Sequence, residues 1–177
     1  LFHRNQGLAC IVLRTSRFFP EEDDNRDVRE AYSDDNVKVN EYLYRRVAIE
    51  DVVTAHLLAA KHARGIGFRK YIISATTPLL PDDLPAVRVD APRVVRWRVP
   101  DYEAEYERRG WKMFPSLTRV YVNDRARREL GWQPRYGFND IIDRLRAGQD
   151  LRGPLAQTIG SKGYHAETFG DGPYPVE

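Results

Sequence analysis

Two strand-like runs, Leu8-Ala-Cys-Ile-Val-Leu13 and Lys70-Tyr-Ile-Ile-Ser-Ala75, limit what this chain can fold into more than any other feature. An unbroken apolar run of six residues is what a strand buried on both faces of a parallel sheet requires. Between the runs, the segment from Asp51 to about Arg64 carries Val52, Ala55, Ala59 and Ala63 on one helical face. Asp51 is the expected cap of that helix and Gly65 its expected stop. Strand, helix, strand is the order of an α/β domain. The two strands should lie side by side or near each other in a parent sheet. Two strands do not make a freestanding sheet, so upstream strands are expected to cover the apolar surface around Cys10, Val12, Ile72 and Ile73.

The remaining segments read as helices with loop-rich joints. A helix is expected through Lys38–Tyr44, followed by a short extended link at Val47–Ile49. Downstream, Asp90 and Pro92 open a helix that ends at Arg98, and Asp101 caps one that ends at Gly110. Val120–Val122 is a candidate strand. Asn123 is the expected cap of Asp124–Leu130, and Asn139 that of Asp140–Ala147 before Gly148. From Gly160 on, four glycines and two prolines in the last 18 residues predict an extended tail. The expected division is a sheet-bearing part with an insertion, residues 1–76, and a mostly helical lobe, residues 77–177.

Composition excludes several classes of function. A net charge of +2 over 177 residues is too small to point to nucleic acid or a membrane surface as partner. The one cysteine, Cys10, cannot form an internal disulfide and reads as a buried apolar residue, which makes a reducing, cytoplasmic setting the default. No apolar stretch approaches the length of a spanning helix. His56 and His62 are six apart and do not stack on one helical face, and His3 and His165 have no Cys or His neighbours, so no metal is expected. Gly65-Ile-Gly67 follows a helix rather than a strand, the wrong context for a phosphate-binding glycine loop. Eight acidic residues crowd Glu21–Asn36 against Arg26 and Arg29; they would repel phosphate and read as a solvated surface insertion.

Three segments, in order, carry a family resemblance. Leu13-Arg-Thr-Ser-Arg-Phe-Phe-Pro20, Arg46-Val-Ala-Ile-Glu-Asp51 and Arg127-Arg-Glu-Leu-Gly-Trp-Gln-Pro134 resemble the second half of an extended short-chain dehydrogenase/reductase of the NAD-dependent epimerase/dehydratase family. The resemblance implies the C-terminal part of a Rossmann-like doubly wound α/β sheet, with two parallel strands, joined to a mostly helical substrate-binding lobe. It implies NAD(P) as cofactor of the whole enzyme, with Thr15 and Ser16 beside the nicotinamide and Arg17 reaching towards substrate. Arg45 and Arg46 would grip a phosphate of a nucleotide-sugar, because a planar fork suits phosphate oxygens. The other readings are a strand-end turn for Thr15 and Ser16, and an exposed pair or a salt bridge to Glu50 or Asp51 for the two arginines. The family often has Asn at the position of Arg17 and Gly at that of Pro20, so the pocket is expected to differ in detail.

The family's chemistry needs a tyrosine four residues before a lysine. None of the ten tyrosines has one, and no glycine-rich dinucleotide turn is present. With Leu1 in place of Met, the expectation is the back half of an oxidoreductase or isomerase, without catalytic residues of its own and retaining no NAD(P). Its partner would be a small-molecule substrate, with association between copies (a homo-oligomer) also expected. The alternative is a non-enzymatic ligand-binding or regulatory module built on the same fold.

Overall fold

The computed structural model describes residues 2–159. In chain order the elements begin with α1 (Phe2–Gln6), β1 (Cys10–Thr15), α2 (Arg26–Ala31), α3 (Asp34–Glu41), α4 (Ile49–Ile66) and β2 (Phe68–Ile73). They continue with a 3-10 turn at Pro81–Asp83, α5 (Leu84–Val87), α6 (Ala91–Arg98), α7 (Tyr102–Arg109), α8 (Asp124–Leu130), α9 (Phe138–Arg146) and α10 (Pro154–Ile159). The class is mixed α/β, mostly helical, with one two-stranded parallel sheet among the described residues. The tail expected after Gly160, and His165 within it, lie outside the described residues.

β1 and β2 pair in parallel register from Cys10 opposite Phe68 to Thr15 opposite Ile73. The link between them runs through α4, which returns antiparallel to the strands and so starts at the sheet's C-terminal end. Because side chains alternate along a strand, Ile11 and Leu13 fall on the same face as Tyr71 and Ile73. That face packs against Val52, Ala55 and Ala59 of α4 and against Ala126, Leu130 and Trp132. Full burial of a side chain such as Ile73 or Leu130 contributes about 1.5–3 kcal/mol. The opposite face carries Cys10, Val12 and Ile72 with Phe68, and Val12 and Phe68 remain 36% and 39% exposed. The expectation of strands buried on both faces is thus corrected: only one face is covered among the described residues, and Ile73 belongs to the covered one.

A second core joins α3, α6, α7 and α9, built from Val39, Leu43, Val95, Tyr106, Phe138 and Ile142 among others. Two buried asparagines tie α3 into it. Asn36 and Asn40 both donate to the Lys112 carbonyl, at 3.0 and 2.9 Å, and Asn40 accepts from the Tyr106 hydroxyl at 2.8 Å.

Several helix ends differ from expectation, each for an identifiable reason. α4 starts at Ile49 and runs through Gly65 to Ile66; the left-handed turn falls on Gly67, with φ of 75°. Asp51 is therefore inside the first turn and not a cap. Its buried carboxylate accepts from the backbone N–H groups of Arg135 (2.9 Å) and Tyr136 (3.1 Å), while its carbonyl accepts from Trp132 Nε1 at 3.0 Å. Asn123 sits at the N-terminus of α8, but its side chain donates to the Ser74 carbonyl and Thr76 Oγ1. Asn139 lies within α9, which follows Gly137, and Asp140 takes the free Gly137 N–H. Asp101 precedes α7 without capping it and pairs with Arg146 instead. Asp90 caps α6 as expected, accepting from Arg93 N. Val120–Val122 forms no strand and is held by single bonds such as Tyr121 N to the Tyr44 carbonyl.

Candidate functional site

At their C-terminal ends β1 and β2 part, and the segment Arg45–Val47 slots between them. Ser16 N still donates to the Ile73 carbonyl at 2.8 Å, but one residue later Arg17 N donates to the Arg45 carbonyl and Val47 N to that of Arg17, both at 3.0 Å. On the far side Ala75 N donates to the Arg46 carbonyl at 2.8 Å. The short extended link expected at Val47–Ile49 therefore begins earlier, at Arg45, and serves as a wedge in the sheet. Open α/β sheets bind ligands at this edge, where strands separate.

The wedge brings Arg17, Arg45 and Arg46 together. Arg46 is buried, donating to Glu41 Oε2 and to the Phe19 carbonyl, each at 2.6 Å. Arg45 donates to Glu41 Oε1 and Asp23 Oδ2, both at 3.0 Å. Arg17 donates to the same Asp23 oxygen at 3.0 Å and to the Glu22 carbonyl at 2.7 Å. Three guanidinium groups thus surround two buried carboxylates, Glu41 and Asp23. The partners are neither Glu50 nor Asp51, the ones considered from the sequence. Arg45 is the most exposed of the three, its side chain 37% accessible, and it lies over the Tyr44 ring.

Thr15 is exposed at the end of β1, and Ser16 is buried with its Oγ unpartnered among the described residues. Both flank the cluster, so the five residues singled out from the sequence form one contiguous neighbourhood. The acidic run contributes to it: Asp23 is a structural counter-ion and not a solvated surface residue. Glu41 was legible as the (i, i+4) partner of Arg45. Asp23, twenty-two residues from Arg45, carried no local signal.

Two tyrosines lie close by. Burial pushes both the Tyr42 and Tyr44 phenols up to about 12, against the opposing pull of Arg46 and Arg45 respectively. Each keeps its proton at neutral pH, which suits a hydrogen-bond donor better than a proton-exchanging acid. Among the described residues no three His, Cys, Asp or Glu side chains converge as metal ligands, and no helix is long and apolar enough to cross a membrane. Comparison of the chain with protein-family models, curated proteins and solved structures finds no match.

Proposed function

We propose that this chain forms the substrate-binding part of an NAD(P)-dependent enzyme of the epimerase/dehydratase kind, acting at a hydroxyl-bearing carbon of a nucleotide-sugar or related small molecule. The observation that carries the reading is the parted C-terminal edge of a parallel strand pair, with Thr15, Ser16 and three arginines gathered on it. Thr15 and Ser16 provide hydroxyls where the nicotinamide would lie; the unpartnered Ser16 Oγ suits that role. Arg45, the most accessible of the three arginines, is the residue to meet a phosphate. NAD(P) would supply hydride transfer; this chain's residues bind and orient the substrate.

Calorimetric titration with UDP-glucose and with NAD+ tests the reading. The expected result is saturable binding of the nucleotide-sugar, weakened by on the order of 1.5–3 kcal/mol in Arg45→Ala, the scale of a hydrogen bond to a charged group, and no retention of NAD+. Failure to bind UDP-glucose, or equal binding by Arg45→Ala, counts against it.

A further inference from the structure

Beside the arginine cluster the described chain closes a small chamber over the start of α4. Phe18, Val47, Ile49 and Leu151 give it apolar walls, and α10 covers it with Ala156 and Ile159. About 60 Å³ is open to the centre of a water molecule, room for on the order of four to six heavy atoms.

Glu50 lines this chamber and is only 9% exposed. Its Oε1 accepts from Leu155 N at 2.9 Å, satisfying a free donor in the first turn of α10. Gly153 is needed for this approach, since a Cβ there would collide with the carboxylate. Oε2 is buried and has no hydrogen-bond partner among the described residues. An acceptor left bare inside a protein costs free energy unless a ligand or water completes it.

The remaining polar groups decide what kind of ligand. Lys38, Arg46 and Arg152 line the chamber, each paired with a carboxylate that does not: Asp34, Glu41 and Asp150 respectively. Among the described residues Glu50 is the one acid in the lining. With those cations already paired, a carboxylate ligand would face Glu50, and an ammonium has no lone pair with which to accept from the Tyr42 phenol in the lining. A neutral hydroxyl meets neither obstacle. It can donate to Glu50 Oε2 and accept from the phenol of Tyr42, which also lines the chamber and holds its proton. We infer that this chamber is a binding site for a small neutral alcohol or for the hydroxyl-bearing end of a polyol, held between Glu50 and Tyr42. The lining is made by described residues of this chain and does not depend on the nucleotide-sugar reading; the test below uses no nucleotide, so the two can fail separately.

Three near-isosteric probes discriminate: 1,2-propanediol, 1-amino-2-propanol and lactate, titrated into the protein while the backbone amide resonances of Leu155 and Ala156 are followed by NMR. The expected result is saturable binding of the diol in the millimolar range, at least tenfold tighter than either charged probe. Glu50→Gln, which keeps an acceptor for Leu155 N but replaces the bare oxygen by a donor, should weaken the diol at least tenfold. Tyr42→Phe should weaken it about fivefold, and it serves alone should Glu50→Gln fold poorly. Non-saturating shifts, equal affinity for a charged probe, or diol binding unchanged in Tyr42→Phe would each overturn the assignment.

Discussion

Replacing Asp51 by Ala should be among the most damaging single changes on the sheet side of this molecule. Its carboxylate is the acceptor for two backbone N–H groups, those of Arg135 and Tyr136, more than eighty residues away in sequence. Alanine removes both acceptors at once. A buried donor left unpaired costs about 1–3 kcal/mol, but the turn is partly exposed and water can reach Arg135, so the net loss should be about 2–4 kcal/mol. In a chain of this size that corresponds to a fall in Tm of roughly 4–16 °C. Thr54→Val is the matched control. It removes the second acceptor of Trp132 Nε1 but leaves the Asp51 carbonyl in place, and should cost under about 1 kcal/mol. Burial, the largest influence, raises the Asp51 carboxyl above its ordinary value, although the Arg135 and Tyr136 N–H groups pull it back. The folded form therefore holds this proton more tightly than the unfolded one. The linked stabilisation is full below the ordinary aspartate value and is lost as pH rises through the folded value. Urea unfolding of both proteins over that range measures the loss and its pH trend. A destabilisation under about 0.5 kcal/mol would refute the reasoning, since the two N–H groups would then not depend on Asp51.

Arg46→Ala should cost about 1–3 kcal/mol, because it strips the buried Glu41 Oε2 of its partner while Arg45 still holds Oε1, whereas Arg45→Ala, at a more accessible pair, should cost about 0–1 kcal/mol; chemical denaturation separates them, and equal costs would contradict the burial argument. Phenolate absorbance from Tyr42 and Tyr44 should emerge only near pH 12 or together with unfolding. Because the folded pKa values lie above the ordinary 10, the stability linked to these two groups is full below that value and falls away between it and about 12. On the uncovered sheet face, the double change Val12→Lys and Phe68→Lys should abolish concentration-dependent association in sedimentation velocity while leaving Tm nearly unchanged; association persisting in the variant would assign it to another surface.

The frame of the fold was legible because it rests on local patterns. The apolar runs at Leu8–Leu13 and Lys70–Ala75 located both strands to within two residues, and the spacing of Val52, Ala55 and Ala59 found the face that α4 presents to them. Gly110 and Gly131 each end a helix in the left-handed conformation, as their positions suggested. Three of the four misassigned caps share one cause. Asp51, Asp101 and Asn123 all stand at or near helix starts, but each was recruited by a distant partner, and long-range bonds outweighed the local option. Val120–Val122 has strand-like residues without a neighbouring strand to pair with among the described residues, and β-propensity alone does not make a strand.

The neighbourhood of the site was legible for the same reason and its electrostatics were not. Thr15, Ser16 and Arg17 follow directly from the end of β1, and the position of Arg45 and Arg46 before α4 returns them to that end, because a helix antiparallel to its strands must begin where they finish. Charge pairing has no such periodicity. The acidic run looked repulsive to phosphate because its residues were counted together; folding sorts them, sending Asp23 inward to Arg17 and Arg45 while Asp24 stays largely exposed. The arginines consequently act first as structure. Arg46, fully engaged with Glu41 and the Phe19 carbonyl, fixes the wedge between the strands. A ligand at this edge meets a cluster whose cations are already oriented by buried carboxylates, so binding there need not order three flexible side chains, each of which would otherwise lose about 0.5–1.5 kcal/mol of rotamer freedom on association. Preorganisation of that kind favours a ligand that needs one well-placed cation, Arg45, over one that needs three.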